Sequence, residues 1–210
     1  AAWCWSQRAA HGFSDTPDLD RTRALRLASE AARLAPHDGL GLSLCSGALT
    51  LTRRLSDADR LIERAVSMDP WSPWGWVRRG WLSAYAGDTD GALRELHITL
   101  RLMPFEPVRH LAFIGIGCAH FNAGRYDSAV RWIQTGVEAC PESYWAERVL
   151  VAAGAHAGTK AEARRHARRL GDGPLFRRSR ACRAVAVARP QASDDANDSP
   201  AARTERLPRS

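Results

Sequence analysis

Pro73-Trp74-Gly75-Trp76-Val77-Arg78-Arg79-Gly80-Trp81-Leu82-Ser83-Ala84-Tyr85-Ala86-Gly87-Asp88-Thr89-Asp90-Gly91-Ala92-Leu93-Arg94-Glu95-Leu96-His97-Ile98-Thr99-Leu100-Arg101-Leu102-Met103-Pro104 reads as two short helices folded against each other. Gly87-Asp88 supplies the turn between them, because glycine takes turn conformations without steric cost and aspartate bonds its own backbone. Gly80 and Ala92 are small where the paired helices touch, and Trp76 and Leu96 fill the space beside them. Pro104 closes the second helix, since its ring cannot continue the hydrogen-bond ladder.

The same arrangement recurs on both sides. Pro36, Pro70 and Pro104 are 34 residues apart and Pro141 follows after 37. Before the central unit, Leu42 and Gly47 precede Ala58, Ile62, Ala65 and Pro70; after it, Phe113, Ile116, Gly117 and His120 precede Gly124, Ala129, Ile133 and Pro141. A weaker unit runs from Tyr144 to about Gly171 with Gly158, Ala163 and Ala167, and a degenerate one lies before Pro36 with Gly12, Ala24 and Ala31. Trp76, Gly80, Ala92, Leu96 and Pro104 stand at the intervals of the tetratricopeptide pattern W-x2-L-G-x2-Y, A-x3-F, P. The chain therefore resembles the tetratricopeptide-repeat family over roughly residues 1–171, with Arg79 and Cys45 departing from the usual Leu.

That resemblance implies an all-α, right-handed α-solenoid of about five helix pairs, the first and last degenerate, because each pair leaves an apolar face that only its neighbours cover. Helices are expected over 1–12 and from 18–20 to Pro36, then in pairs at about 39–52 with 56–68, 73–86 with 89–102, 108–122 with 126–139, and 143–157 with 160–170. Asp57, Asp88 and Asp127 should cap helix starts. From 172 to 210 periodicity fails, and a basic stretch gives way to a Pro-, Ser- and Asp-rich tail too polar to fold.

In the family, the first helix of each unit lines the concave surface. Carried over by that resemblance, the groove comprises Leu40, Ser43, Gly47, Thr50 and Leu51; Trp74, Val77, Trp81, Ala84 and Tyr85; Leu111, Ile114, Cys118, Phe121 and Asn122; and Trp145, Arg148, Ala152, Ala155 and His156. Such a groove is apolar and aromatic. Family members that clamp a terminal carboxylate use Lys and Asn at several of these positions; only Asn122 and Arg148 have that character here, so no clamp is implied. Trp74, Trp81 and Tyr85 recur at intervals of seven and four on one helical face. They read either as a docking hot spot or as packing against neighbouring first helices. Trp71 and Trp76 are read as core, while Trp132 and Trp145 fit either role.

The formal charge of +7 is not spread evenly. Lys160 to Arg183 holds nine basic residues against Glu162 and Asp172, while the rest of the chain is balanced. A strip through Arg164, Arg165, Arg168 and Arg169 could meet phosphates or anionic lipid, or could simply solvate the last helix. Cys4, Cys45, Cys118, Cys140 and Cys182 form no Cys-x-x-Cys pair, and the seven histidines are scattered, so no metal or cofactor is expected and the thiols read as buried and free. No nucleophile elbow, phosphate loop or His-Glu-x-x-His is present, and the chain reads as a non-enzyme. No apolar run approaches the roughly 20 residues of a membrane span, and no secretory leader opens the chain, which places it by default in the cytoplasm.

Three functions follow. The first is an interaction scaffold that takes a partner protein's peptide or helix, or a second copy of itself, in the groove. The second is a regulatory or oligomerisation region. Arg-Arg-Gly-Trp-Leu-Ser-Ala-Tyr-Ala-Gly-Asp (78–88) and Ala-His-Phe-Asn-Ala-Gly-Arg-Tyr-Asp-Ser-Ala (119–129) are similar to bacterial repeat regions that follow class III adenylate cyclase or winged-helix regulator domains, and a chain starting at Ala1 without Met reads as a fragment of such a protein. Nucleic-acid binding through the Arg strip stands last.

Overall fold

A computed structural model describes residues 1–102, 109–158 and 167. Pro104, the linker before Arg109, the helix expected at 160–170 apart from Ala167, the Arg strip, Cys182 and the tail all lie outside the described residues. Among those residues there are nine helices and no strand: α1 (Ala2–Ala10), α2 (Pro17–Leu34), α3 (Gly39–Leu51), α4 (Leu55–Met68), α5 (Pro73–Ala86), α6 (Thr89–Leu102), α7 (Arg109–Asn122), α8 (Tyr126–Ala139) and α9 (Tyr144–His156). None is long and apolar enough to cross a membrane.

Local chemistry sets the boundaries. Asp38 and Ser72 precede α3 and α5 and accept from the backbone N–H of Gly41 (2.9 Å) and Gly75 (3.4 Å), satisfying donors that a helix start leaves orphaned. Asp88 does the same for α6 through the N–H of Gly91 at 2.9 Å. Pro17 and Pro73 open their helices, where the missing N–H costs nothing. Asp57 and Asp127, expected as caps, stand instead inside the first turns of α4 and α8. Asp57 pairs there with Arg54 (2.7 Å) and Arg60 (2.5 Å), and acidic charge in a first turn complements the helix dipole.

Among the described residues α1, α3, α5 and α7 each pair with the even-numbered helix that follows, and α1, α3, α5, α7 and α9 also contact one another in sequence, forming the inner row of the stack. The core runs between the layers as three successive apolar clusters, with Leu42 and Ile62 central to the first, Ala92, Leu96 and Ile116 to the second, and Ile114, Ile133 and Leu150 to the third. At the crossings, Gly80 faces Leu96 and Gly117 faces Ile133 so closely that an added Cβ would enter the opposing side chain. Ser46 occupies the matching place in the preceding unit, fully buried, and donates to the Ala58 carbonyl at 2.9 Å. Gly47, one residue later, serves another purpose described below.

Arg79, which replaces the family's Leu, bridges three helices. It meets Glu63 of α4 at 2.6 Å and Glu95 of α6 at 2.9 Å, while the Ser83 hydroxyl donates to the second Glu95 oxygen at 2.7 Å. Trp76 is half-buried, its indole N–H donating to the Pro70 carbonyl at 2.8 Å. Trp71 is not core: it is 78% exposed in the turn between α4 and α5, where helical periodicity does not govern which way a side chain faces. Cys4 is likewise exposed rather than buried.

Candidate functional site

The inner row of helices encloses a basin of about 1130 Å³. Of the side chains expected to face it, Trp74, Trp81, Tyr85, Leu111, Phe121, Asn122 and Arg148 do, together with Gly47, Thr50, Leu51, Ala84, Cys118, Trp145 and Ala152. Val77 and Ile114 do not. They are 1% and 0% exposed, turned into the interhelix core behind the wall because their positions on α5 and α7 face the neighbouring helices. Leu40, Ser43, Ala155 and His156 also lie off the basin; Leu40 is exposed at the outer end of α3, and His156 stacks on Tyr126 at 4.6 Å. Trp132 faces elsewhere, stacked on Phe113 at 5.9 Å.

Aromatic contacts fix one wall. The Trp81 indole N–H donates to the Leu111 carbonyl at 3.1 Å, and its ring meets Trp145 edge-on at 5.7 Å and Tyr85 at 6.2 Å. The Asn122 amide donates to the Ala84 carbonyl at 3.0 Å, tying α7 to α5 at the rim. Cys118 sits on the floor, where burial pushes its thiol up to about 12, so it stays protonated and inert at neutral pH.

Helix α1 supplies the opposite wall through Trp3, Gln7, Ala10 and the following His11, none of which the family positions anticipate. The i, i+4, i+8 spacing of Trp3, Gln7 and His11 is the sequence signal that could have found them. His11 stacks on Trp145 at 5.4 Å, and an Arg148 Nη lies 3.2 Å from its Nδ1. The first and last described helices thus meet across the basin. Since arginine only donates, Nδ1 must accept, and His11 is held as the neutral Nε2–H tautomer.

Burial first, and Arg148 second, lower the His11 pKa to about 4 from 6.5. The unfolded chain therefore binds this proton more readily, and the His11 contribution to stability is complete above pH 6.5 and falls as pH drops toward 4. The His11 ring should titrate near pH 4 by NMR, and Arg148→Ala should raise that midpoint; a midpoint near 6.5 in the native chain would show that the two ends do not meet.

Two arginines unanticipated by the family positions complete the lining. Arg53 ends the first helix of its unit in the left-handed region at φ 65°, the slot that Gly87 fills one unit later. Non-glycine residues rarely adopt that conformation. Its guanidinium reaches the Tyr85 carbonyl at 3.3 Å and lies over the Tyr85 ring at 5.4 Å. Arg78 is 6% exposed, with its guanidinium 4.0 Å from the Trp3 ring centroid and 5.3 Å from that of Trp74. Gly47 makes this possible: a Cβ there would stand 2.8 Å from Trp3 and 3.1 Å from the Arg78 Cδ. Burial without a carboxylate lowers the Arg78 pKa to about 10, which leaves it charged at neutral pH.

No family model matches the chain, and no curated protein does. Solved structures do. The human IFIT1 dimer with m7Gppp-AAAA matches at TM-score 0.68 and 19% identity, over 82% of this chain and 39% of that one. MamA 41-end from Desulfovibrio magneticus RS-1 matches at 0.56 and 19%, over 84% of this chain and 95% of that one. Both are built of tetratricopeptide repeats. This chain has the tetratricopeptide-repeat fold. The Cut9–Hcn1 hetero-tetramer of the APC/C adds a third such neighbour, at 0.62 and 15%, over 79% of this chain and 32% of that one. The solenoid spans about two fifths or less of the IFIT1 and Cut9–Hcn1 chains it matches.

Proposed function

We propose that the chain is a non-catalytic interaction scaffold that takes a peptide or helix of a partner protein in the basin. The observation that carries this reading is the lining itself: Trp3, Trp74, Trp81, Tyr85, Phe121 and Trp145 converge on one concave space of about 1130 Å³. Large rigid rings in a concave site give apolar contact area at low entropic cost, the composition of interaction hot spots.

Peptides selected on the full chain from a random display library should remain bound as salt is raised, since apolar contacts are not screened. Trp81→Ala should weaken them by about thirtyfold, the effect of losing about 2 kcal/mol at a hot spot. Ala152→Trp, which fills the basin without removing its wall, should weaken them as well. Affinity unchanged in both variants would refute the proposal. The IFIT1 structures that hold PPP-AAAA and m7Gppp-AAAA make RNA the natural competitor in this experiment. If oligonucleotides bind and elute with salt, and substitution of Arg164, Arg165, Arg168 and Arg169 abolishes that binding, the Arg strip carries the function instead.

A further inference from the structure

The cations of the basin are not equivalent. Arg148 is engaged with His11, and Arg53 with the Tyr85 carbonyl. Arg78 has no hydrogen-bond or ion-pair partner among the described residues, and its Nε is sealed from solvent without an acceptor. Among the described residues no aspartate or glutamate lines the basin. A buried charge without a counter-ion costs several kcal/mol, and a guanidinium offers its donors only around its edge. The Trp3 and Trp74 rings hold Arg78 in place through cation–π contact without satisfying that edge.

From this we infer that Arg78 is a specificity site for one carboxylate, so that the basin's occupant is a peptide segment carrying an aspartate or glutamate flanked on both sides by apolar or aromatic residues. The inference rests on the reading of the basin as the docking site and names the chemistry of what docks there. One carboxylate suffices because, among the described lining, Arg78 is the one guanidinium without an acceptor. A nucleic acid carries a phosphate at every nucleotide and derives its affinity from several such contacts at once, whereas Arg53 and Arg148 are each already held by an acceptor within the basin. An internal side chain fits better than a chain terminus because apolar wall continues on either side of Arg78, through Trp3 and Leu51 in one direction and Leu111, Phe121 and Trp145 in the other. The carboxylate would meet the guanidinium edge in a charge-assisted, two-pronged hydrogen bond, in a site dry enough to strengthen it.

A synthetic ten-residue peptide array tests this with the full chain as probe. Each peptide carries Leu, Phe or Trp around a central Asp or Glu, matched to an Asn or Gln version, to a neutral version with a free C-terminal carboxylate, and to oligo(dA) of similar length. Central-acid peptides should bind at least about tenfold more tightly than their amide versions, the scale of one charge-assisted bond. Arg78→Gln should abolish that preference, so that acid and amide peptides bind alike, and Arg78→Lys should restore part of it. The peptide-side comparison stands even if an Arg78 variant fails to fold. Equal binding of acid and amide peptides would overturn this inference and leave the basin as a docking site. Preference for the free terminus would overturn it as well. No peptide binding, or binding of oligo(dA) alone, would overturn both.

Discussion

Gly117→Leu is expected to lower the melting temperature by about 6–12 °C, the shift that about 3 kcal/mol produces in a chain of this size. The reason is where the new atoms must go. A Cβ at Gly117 would enter Ile133 Cγ1 and stand 3.0 Å from the Ile133 backbone nitrogen and 3.1 Å from the Ala129 carbonyl. A flexible side chain can turn away, but backbone of α8 cannot, so α7 and α8 must separate along their whole crossing. Interiors this dense transmit such strain rather than absorb it. Gly87→Leu tests a different cost: nothing lies within 4 Å of that glycine, but its φ of 87° is strained for any L side chain. A melting temperature unchanged by Gly117→Leu would mean that the helix register is wrong.

The second large effect is at Leu96, which is 0% exposed and faces Gly80. Leu96→Ala should cost about 2–5 kcal/mol through lost burial and the cavity left behind. Gly80→Ala should also destabilise, since its methyl would lie 2.5 Å from the Leu96 Cγ. In the double variant that methyl grows into the vacated space. The two changes should then be less damaging together than their sum, by about 0.5–3 kcal/mol. Strict additivity would show that the two side chains do not oppose each other.

Both predictions concern features legible in the sequence. The repeat period gives the helix pairs, and small residues at matched places give the crossings, because each unit repeats one local solution to one packing problem. Most of the aromatic wall was legible too, through the resemblance. What escaped was of two kinds. Arg78 stands one residue after an expected groove position, and its direction depends on the room that Gly47 opens on α3 and on a ring from α1. The meeting of His11 with Trp145 and Arg148 depends on curvature, the sum of small angles between successive pairs, which no single repeat encodes. Trp71 shows the converse error: bulk and hydrophobicity suggest core, but a turn residue has no partner helix to face.

The central claim is that the basin, rather than the outer layer or the Arg strip, holds the partner. It is tested most directly by placing a photo-crosslinking benzophenone side chain at Gln7, on the α1 wall of the basin, or at Gln134, exposed on α8, and irradiating each full-length variant with a basin-selected peptide. Adducts at position 7, competed away by unlabelled peptide and absent from position 134, are the expected result. Adducts at 134 with none at 7 would contradict the account.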